Sequence, residues 1–187
     1  MNMLHNFFGH LNTVRKHRKV VFSHCLKAGI FWRGLLHDLS KYAPTEFFAG
    51  VQFYQGGTRS PNEGEREKFG HSLAWMHHKG RNRHHFEYWT DYNPETKQLE
   101  PVKMPIKFVK EMFCDRVAAS KVYQGENYED SHPLTYFERG KARRKIHPET
   151  SDLIEGWLLM LKEKGEKETF RYIRQNVLNG KPFPWEE

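Results

Sequence analysis

The chain has 187 residues, 37% of them hydrophobic and 14% aromatic, and a formal net charge of +7 at pH 7. That length can bury a sizeable core within a single domain spanning residues 1–187. The two cysteines, Cys25 and Cys114, exclude a disulfide scaffold or zinc ribbon. No run approaches the ~18 apolar residues of a membrane span, and Met1–Phe8 lacks the pattern of a signal peptide. A cytoplasmic protein with no membrane partner is expected, and the positive charge favours an anionic one.

Taken in order, Val14, His17, Val21, His24 and Ala28 form one stripe of a helix over residues 12–28, with Gly29 as its C-cap. Ile30-Phe31-Trp32 opens a second helix that carries Leu35, Leu36, His37, Asp38 and Leu39. Pro44 begins a third, aromatic-rich helix ending near Gly56-Gly57, and residues 58–62 read as a loop. A fourth spans about 63–78 and stops at Gly80. Residues 91–105, with Pro94, Pro101 and Pro105, read as irregular. The helical period returns over 106–123, where Phe108, Met112, Asp115, Ala119 and Val122 share a face. Further C-terminal helices fall within about 133–178, two of them at 149–164 and 166–178, before an exposed tail from Gly180 to Trp185. No segment sustains strand alternation and no repeat is visible. The expected fold is all-α, a compact multi-helix bundle of seven or more helices.

The chemistry lies in polar residues on apolar faces. Burying an ionised carboxylate costs several kcal/mol unless a partner or metal compensates it. Imidazole and carboxylate are also ligands that Zn, Mn and Fe sites favour. His17, the His37-Asp38 pair and Asp115 therefore read as one shared metal site, with His24 an alternative first ligand on the His17 stripe. Each has a plainer reading, a histidine bonded to a carbonyl or an Asp115–Arg116 surface ion pair. The second cluster is His77-His78-Lys79-Gly80-Arg81-Asn82-Arg83-His84-His85, followed by the aromatic Phe86, Tyr88 and Trp89. If Gly80 turns the chain back over the metal, His77, His78, Arg81 and Asn82 line the mouth, Arg81, Asn82 and His84 hold an anionic substrate with Arg bidentate, and His84 and His85 stand close enough to support the site or to bind a second ion. A histidine-rich surface loop is the plain alternative. The basic run Arg139–Lys145 admits a nucleic-acid-binding module, and its Arg143-Arg144 pair is expected outside the pocket.

The order His…His-Asp…His…Asp on successive helices resembles the HD superfamily of metal-dependent phosphohydrolases. His37-Asp38-Leu39-Ser40-Lys41 is similar to its HD-x-x-K form, and Cys114-Asp115-Arg116 to its closing Asp-Arg segment. His77-His78 resembles the double histidine of the HD-GYP branch, although the GYP residues are absent. The HDLSKY and HHKGRNRHHFEYW stretches are closer still to an HD-like family without a settled substrate. The resemblance spans about residues 10–125 and implies an HD-type fold. It implies one or two divalent transition-metal ions (Mn, Fe, Zn, Co or Ni), with Asp38 bridging. His17, His37 and Asp115 would complete the first site, and His77 or His78, with His85, the second. Asp38 and Lys41 would be catalytic, Lys41 orienting a phosphate oxygen, while an activated water attacks a phosphate ester or anhydride, most simply a nucleotide or cyclic nucleotide. The resemblance also admits a di-iron oxygenase on the same ligands. No haem-peroxidase or catalase pattern is present.

Overall fold

The computed structural model describes residues 2–141 and 144–178. The expected tail from Gly180 to Trp185 and Arg143 of the basic run lie outside them. The chain folds as an all-α bundle with one small hairpin. Helix α1 (Met3–Lys27) begins earlier than its apolar stripe, capped by the Asn2 side chain accepting from the Leu4 N–H at 3.1 Å. It ends as the stripe predicts. Gly29 takes φ 78°, its N–H bonds the Leu26 carbonyl and the Ile30 N–H bonds that of Cys25, the paired closure that a left-handed glycine permits.

Helix α2 (Phe31–Leu36) corrects the sequence reading, because it stops before the His-Asp pair. His37 leaves helical geometry at ψ 129°, and Asp38 adopts φ 52°, ψ 30°, a left-handed conformation that non-glycine residues rarely take. Arg18 braces the turn, donating from Nε to the His37 carbonyl (2.8 Å) and from Nη2 to that of Leu35 (3.1 Å). The flanking Leu35, Leu36 and Leu39 are exposed, while His37 and Asp38 point inward.

Helix α3 (Pro44–Gln52) ends before the predicted glycines. The helix expected over 63–78 is two, α4 (Pro61–Phe69) and α5 (Leu73–Lys79), separated by Gly70 at φ 76° and restarted by Ser72, which accepts from the Trp75 N–H. Buried Glu65 accepts from Ser72 Oγ (2.5 Å) and from the Leu73 N–H, fixing the junction. Within the region expected to be irregular, β1 (Thr90–Asn93) and β2 (Gln98–Pro101) pair antiparallel, Thr90 opposite Pro101 and Asn93 opposite Gln98. Four residues per strand are too few for alternation to register. Helices α6 (Ile106–Gln124), α7 (His132–Arg139) and α8 (Pro148–Leu178) follow, α8 broken at Gly165 (φ 75°, ψ 172°), where the sequence placed a boundary.

The core forms where α1, α6, α7 and α8 meet. Val21 and Cys25 of α1 and Ala28 at its C-cap pack with Phe113, Cys114, Val117 and Ala118 of α6, Phe137 of α7, and Ile154, Leu158, Leu161 and Ile173 of α8. Both cysteines are free and buried there. Among the described residues, no helix is long and apolar enough to cross a membrane.

Candidate metal centre

Three elements converge on the Asp38 carboxylate. From α1, His17 Nε2 lies 3.9 Å from Asp38 Oδ2 and 3.0 Å from Asp115 Oδ1, which α6 presents. His37 Nε2 lies 3.4 Å from Asp38 Oδ2 and 3.5 Å from Asp115 Oδ1. On the other oxygen, Asp38 Oδ1 is 3.4 Å from both His78 Nε2 and His84 Nε2. The side chains thus fall into two groups that could each hold a metal ion and share Asp38. One is His17, His37, Asp38 and Asp115; the other is Asp38, His78, His84 and His85, with all donor atoms of a group within 4.8 Å of one another.

The donor set fits a cation. Ligand atoms around one transition-metal ion with bonds of ~2.1 Å stand roughly 3.0–3.5 Å apart. His37 Nε2, Asp38 Oδ1, His84 Nε2 and His85 Nε2 are buried without a hydrogen-bond partner. Leaving such atoms unsatisfied is costly, and each faces inward toward the others' donor atoms.

A second set of carboxylates holds the imidazoles from behind. Glu111, fully buried on α6, accepts from His37 Nδ1 at 3.0 Å and lies 3.2 Å from His84 Nδ1, while Arg33 Nε donates to its other oxygen at 2.6 Å. Glu46 of α3 bonds His78 Nδ1 (2.7 Å) and His77 Nδ1 (2.6 Å). With Nδ1 engaged, His37 and His78 turn Nε2 toward Asp38, the orientation that a carboxylate behind a metal-binding histidine imposes. Glu111, His37 and His84 also lie close enough together to form a third group, but Arg33 already neutralises that carboxylate.

The charge balance points the same way. Burial opposes ionisation of Asp38, yet His37, Lys41, His78 and His84 hold it well below the usual carboxylate range. Burial likewise opposes a charge on His37, but Asp38, Asp115 and Glu111 raise its pKa to about 10. Without an ion, protons and Lys41, whose Nζ is 3.4 Å from Asp38 Oδ2, balance the clustered carboxylates. An ion would displace those protons, as metal binding to such ligands does.

The structure gathers His17, His37, Asp38, His78, His85 and Asp115 as expected. It also places His84, for which the sequence left substrate contact and ligation of a second ion open, among the candidate ligands. It leaves His77 outside both groups, on the far oxygen of Glu46. His24 belongs to the core and not to the site. Two placements of the second cluster are corrected. Arg81 is exposed and donates to the His77 carbonyl at 3.3 Å, and Asn82 is buried, donating to Ser40 Oγ (2.7 Å) and the His78 carbonyl (2.8 Å); neither lines the cavity over Asp38. Gly80 stays in helical geometry, and the chain turns over residues 82–85, where the His85 N–H bonds the Asn82 carbonyl. The cavity, about 610 Å³, is lined instead by Lys41, Trp75, Tyr123, Arg116 and Arg144 among others. Arg144 was expected outside it. Sequence reading missed Glu46 and Glu111, each a lone acid in an apolar helix window, PTEFFAG and FVKEMFC.

The chain is thus an all-α protein with buried His/Asp groups able to hold metal. It belongs to a family of unknown function, DUF5662, whose model matches residues 6–160 and so contains every candidate ligand. No curated protein and no solved structure matches it.

Proposed function

We propose that this protein is a metal-dependent phosphohydrolase that binds two divalent transition-metal ions across Asp38 and cleaves a phosphate ester or anhydride, with a nucleotide or cyclic nucleotide as the substrate class. The observation that supports it is the division of one buried carboxylate between two groups, His17, His37 and Asp115 on one side and His78, His84 and His85 on the other, beneath a cavity that also exposes Lys41. Ions held there would supply Lewis acidity toward phosphoryl oxygens and acidify water at neutral pH.

The rest falls to the chain's own groups. Lys41 is placed to hold a phosphoryl oxygen as well as Asp38. Glu111 and Glu46, accepting from Nδ1, fix the imidazoles in direction and leave Nε2 as the atom each turns toward Asp38. Tyr54, Trp75 and Tyr123 line the cavity and would pack the organic part of the substrate, which a volume near 610 Å³ accommodates. A nucleic-acid reading of the basic run has less support, because Arg144 bonds the Tyr136 and Phe137 carbonyls and turns into the cavity.

The nitrogen-rich second group, three histidines grouped with one carboxylate, favours a second reading as a di-iron oxygenase on the same residues. The two are separated by one experiment on metal-reconstituted protein. Phosphate release from a nucleotide panel with Mn, Co or Ni, without oxygen uptake, supports the hydrolase. Oxygen uptake by the iron form, with no phosphate released from any substrate, replaces it with the oxygenase.

A further inference from the structure

The cavity contains cations that the metal-centred reading does not use. Arg116 follows Asp115 on α6, Arg139 ends α7, and Arg144 lies just beyond; all three line the cavity. The guanidinium groups of Arg116 and Arg144 stand over the same buried ring, Phe137, at 5.2 and 5.0 Å from its centroid. Stacking on an aromatic ring fixes the planar forks, but it does not neutralise two like charges. None of the three arginines makes an ion pair with a carboxylate among the described residues, and Arg116 Nε is buried with no hydrogen-bond partner. Glu87 lines the same cavity and offsets part of the charge of Arg116 and Arg144, but it forms no ion pair with them among the described residues, and its own Oε2 is also unpartnered.

Like charges held on a rigid ring, with a buried donor unsatisfied, form a receptor that lacks its anion. Arginine forks match the oxygens of phosphate in bidentate fashion, and three positive charges suit a phosphate dianion better than a carboxylate monoanion. We infer that Arg116, Arg139 and Arg144 form a phosphate subsite, so that the substrate bears a second phosphoryl group besides the one that reacts. The second half of this statement rests on the hydrolase reading; the subsite does not.

Calorimetric titration of the chelator-treated full chain with inorganic phosphate tests it. Phosphate should bind one site, and Arg139→Glu and Arg144→Gln should each weaken binding at least about fivefold. Arg139 is exposed and unpaired, so its reversal leaves folding intact even where Arg144→Gln does not. Arg81→Ala, whose side chain lies outside the cavity, should leave binding within about twofold. Absence of phosphate binding, equal binding by Arg139→Glu, or loss of binding in Arg81→Ala would overturn the subsite. With reconstituted enzyme, a bisphosphate should show a KM at least about tenfold below that of its monophosphate, a gap that Arg139→Glu removes. If no substrate releases phosphate while phosphate binding stays sensitive to Arg139, the hydrolase reading fails and the subsite stands. If both substrates react alike and Arg139→Glu changes neither KM, hydrolysis stands and the subsite fails.

Discussion

His17 and His24 lie on one stripe of the same helix, yet they end in opposite surroundings. His24 is buried against Phe170, with its Nδ1 3.3 Å from the Cys114 carbonyl, and its nearest carboxylate, Glu166 at 3.7 Å, is already neutralised by Lys27 and Lys121. Burial there lowers its pKa to about 4. His17 instead meets Asp115 at 3.0 Å, beside a second carboxylate, Asp38, which among the described residues pairs with one lysine, Lys41, and no arginine. Consecutive residues of α6, Cys114 and Asp115, thus offer a carbonyl to one histidine and a carboxylate to the other. What separates a core histidine from a candidate ligand is uncompensated negative charge nearby, since both are largely buried and both sit on an apolar face.

The largest effect should come from Asp38→Asn, which removes the charge shared by both groups. It should strip metal and lower any metal-dependent turnover by on the order of 10³-fold or more, read from initial rates and metal content, with helical content retained in circular dichroism. Unchanged turnover would mean that the groups around Asp38 are structural.

The next concerns the other histidine. His24 is neutral in the folded protein and has the ordinary value of 6.5 unfolded, so on acidification the unfolded chain takes up the proton first. Stability should therefore fall as pH drops from about 6.5 toward about 4, by up to about 3 kcal/mol from this group. His24→Gln should flatten that slope in denaturant melts at pH 7 and pH 5. An equally steep slope in the variant would assign the acid sensitivity elsewhere.

Glu111→Gln should cost about 10–100-fold in metal affinity by chelator competition, as loss of a carboxylate behind a ligating imidazole does. A lowered melting temperature with unchanged metal affinity would make Glu111 part of the fold alone. The smallest effect is expected at Arg81, whose side chain points away from the cavity: Arg81→Ala should leave KM and kcat within about twofold. A larger change would return Arg81 to the substrate.

Much of this architecture can be read from the sequence where one local signal decides. The stripes of α1 and α6, the closure of α1 at Gly29 and the break of α8 at Gly165 follow from helical period and glycine chemistry. The His-Asp pair was legible as chemistry but not as geometry. Leu35, Leu36 and Leu39 extend a helical pattern in sequence, whereas the chain leaves the helix at His37 and turns through a left-handed Asp38, with those leucines outside. Glu46 and Glu111 look like ordinary helix acids until the histidines they hold are in place. The exchange of Arg81 for Arg144 has the same origin: a basic run does not reveal which arginine faces inward, because that depends on how α7 packs against α6.

The most direct test of the shared-carboxylate account is metal stoichiometry, measured by elemental analysis after reconstitution and gel filtration, for wild type, Asp38→Asn and His24→Gln. Two transition-metal ions per chain are expected in wild type and in His24→Gln, with both ions lost or severely depleted in Asp38→Asn. A wild-type chain that retains no transition metal and melts identically in chelator, or an Asp38→Asn chain that keeps both ions, would contradict it.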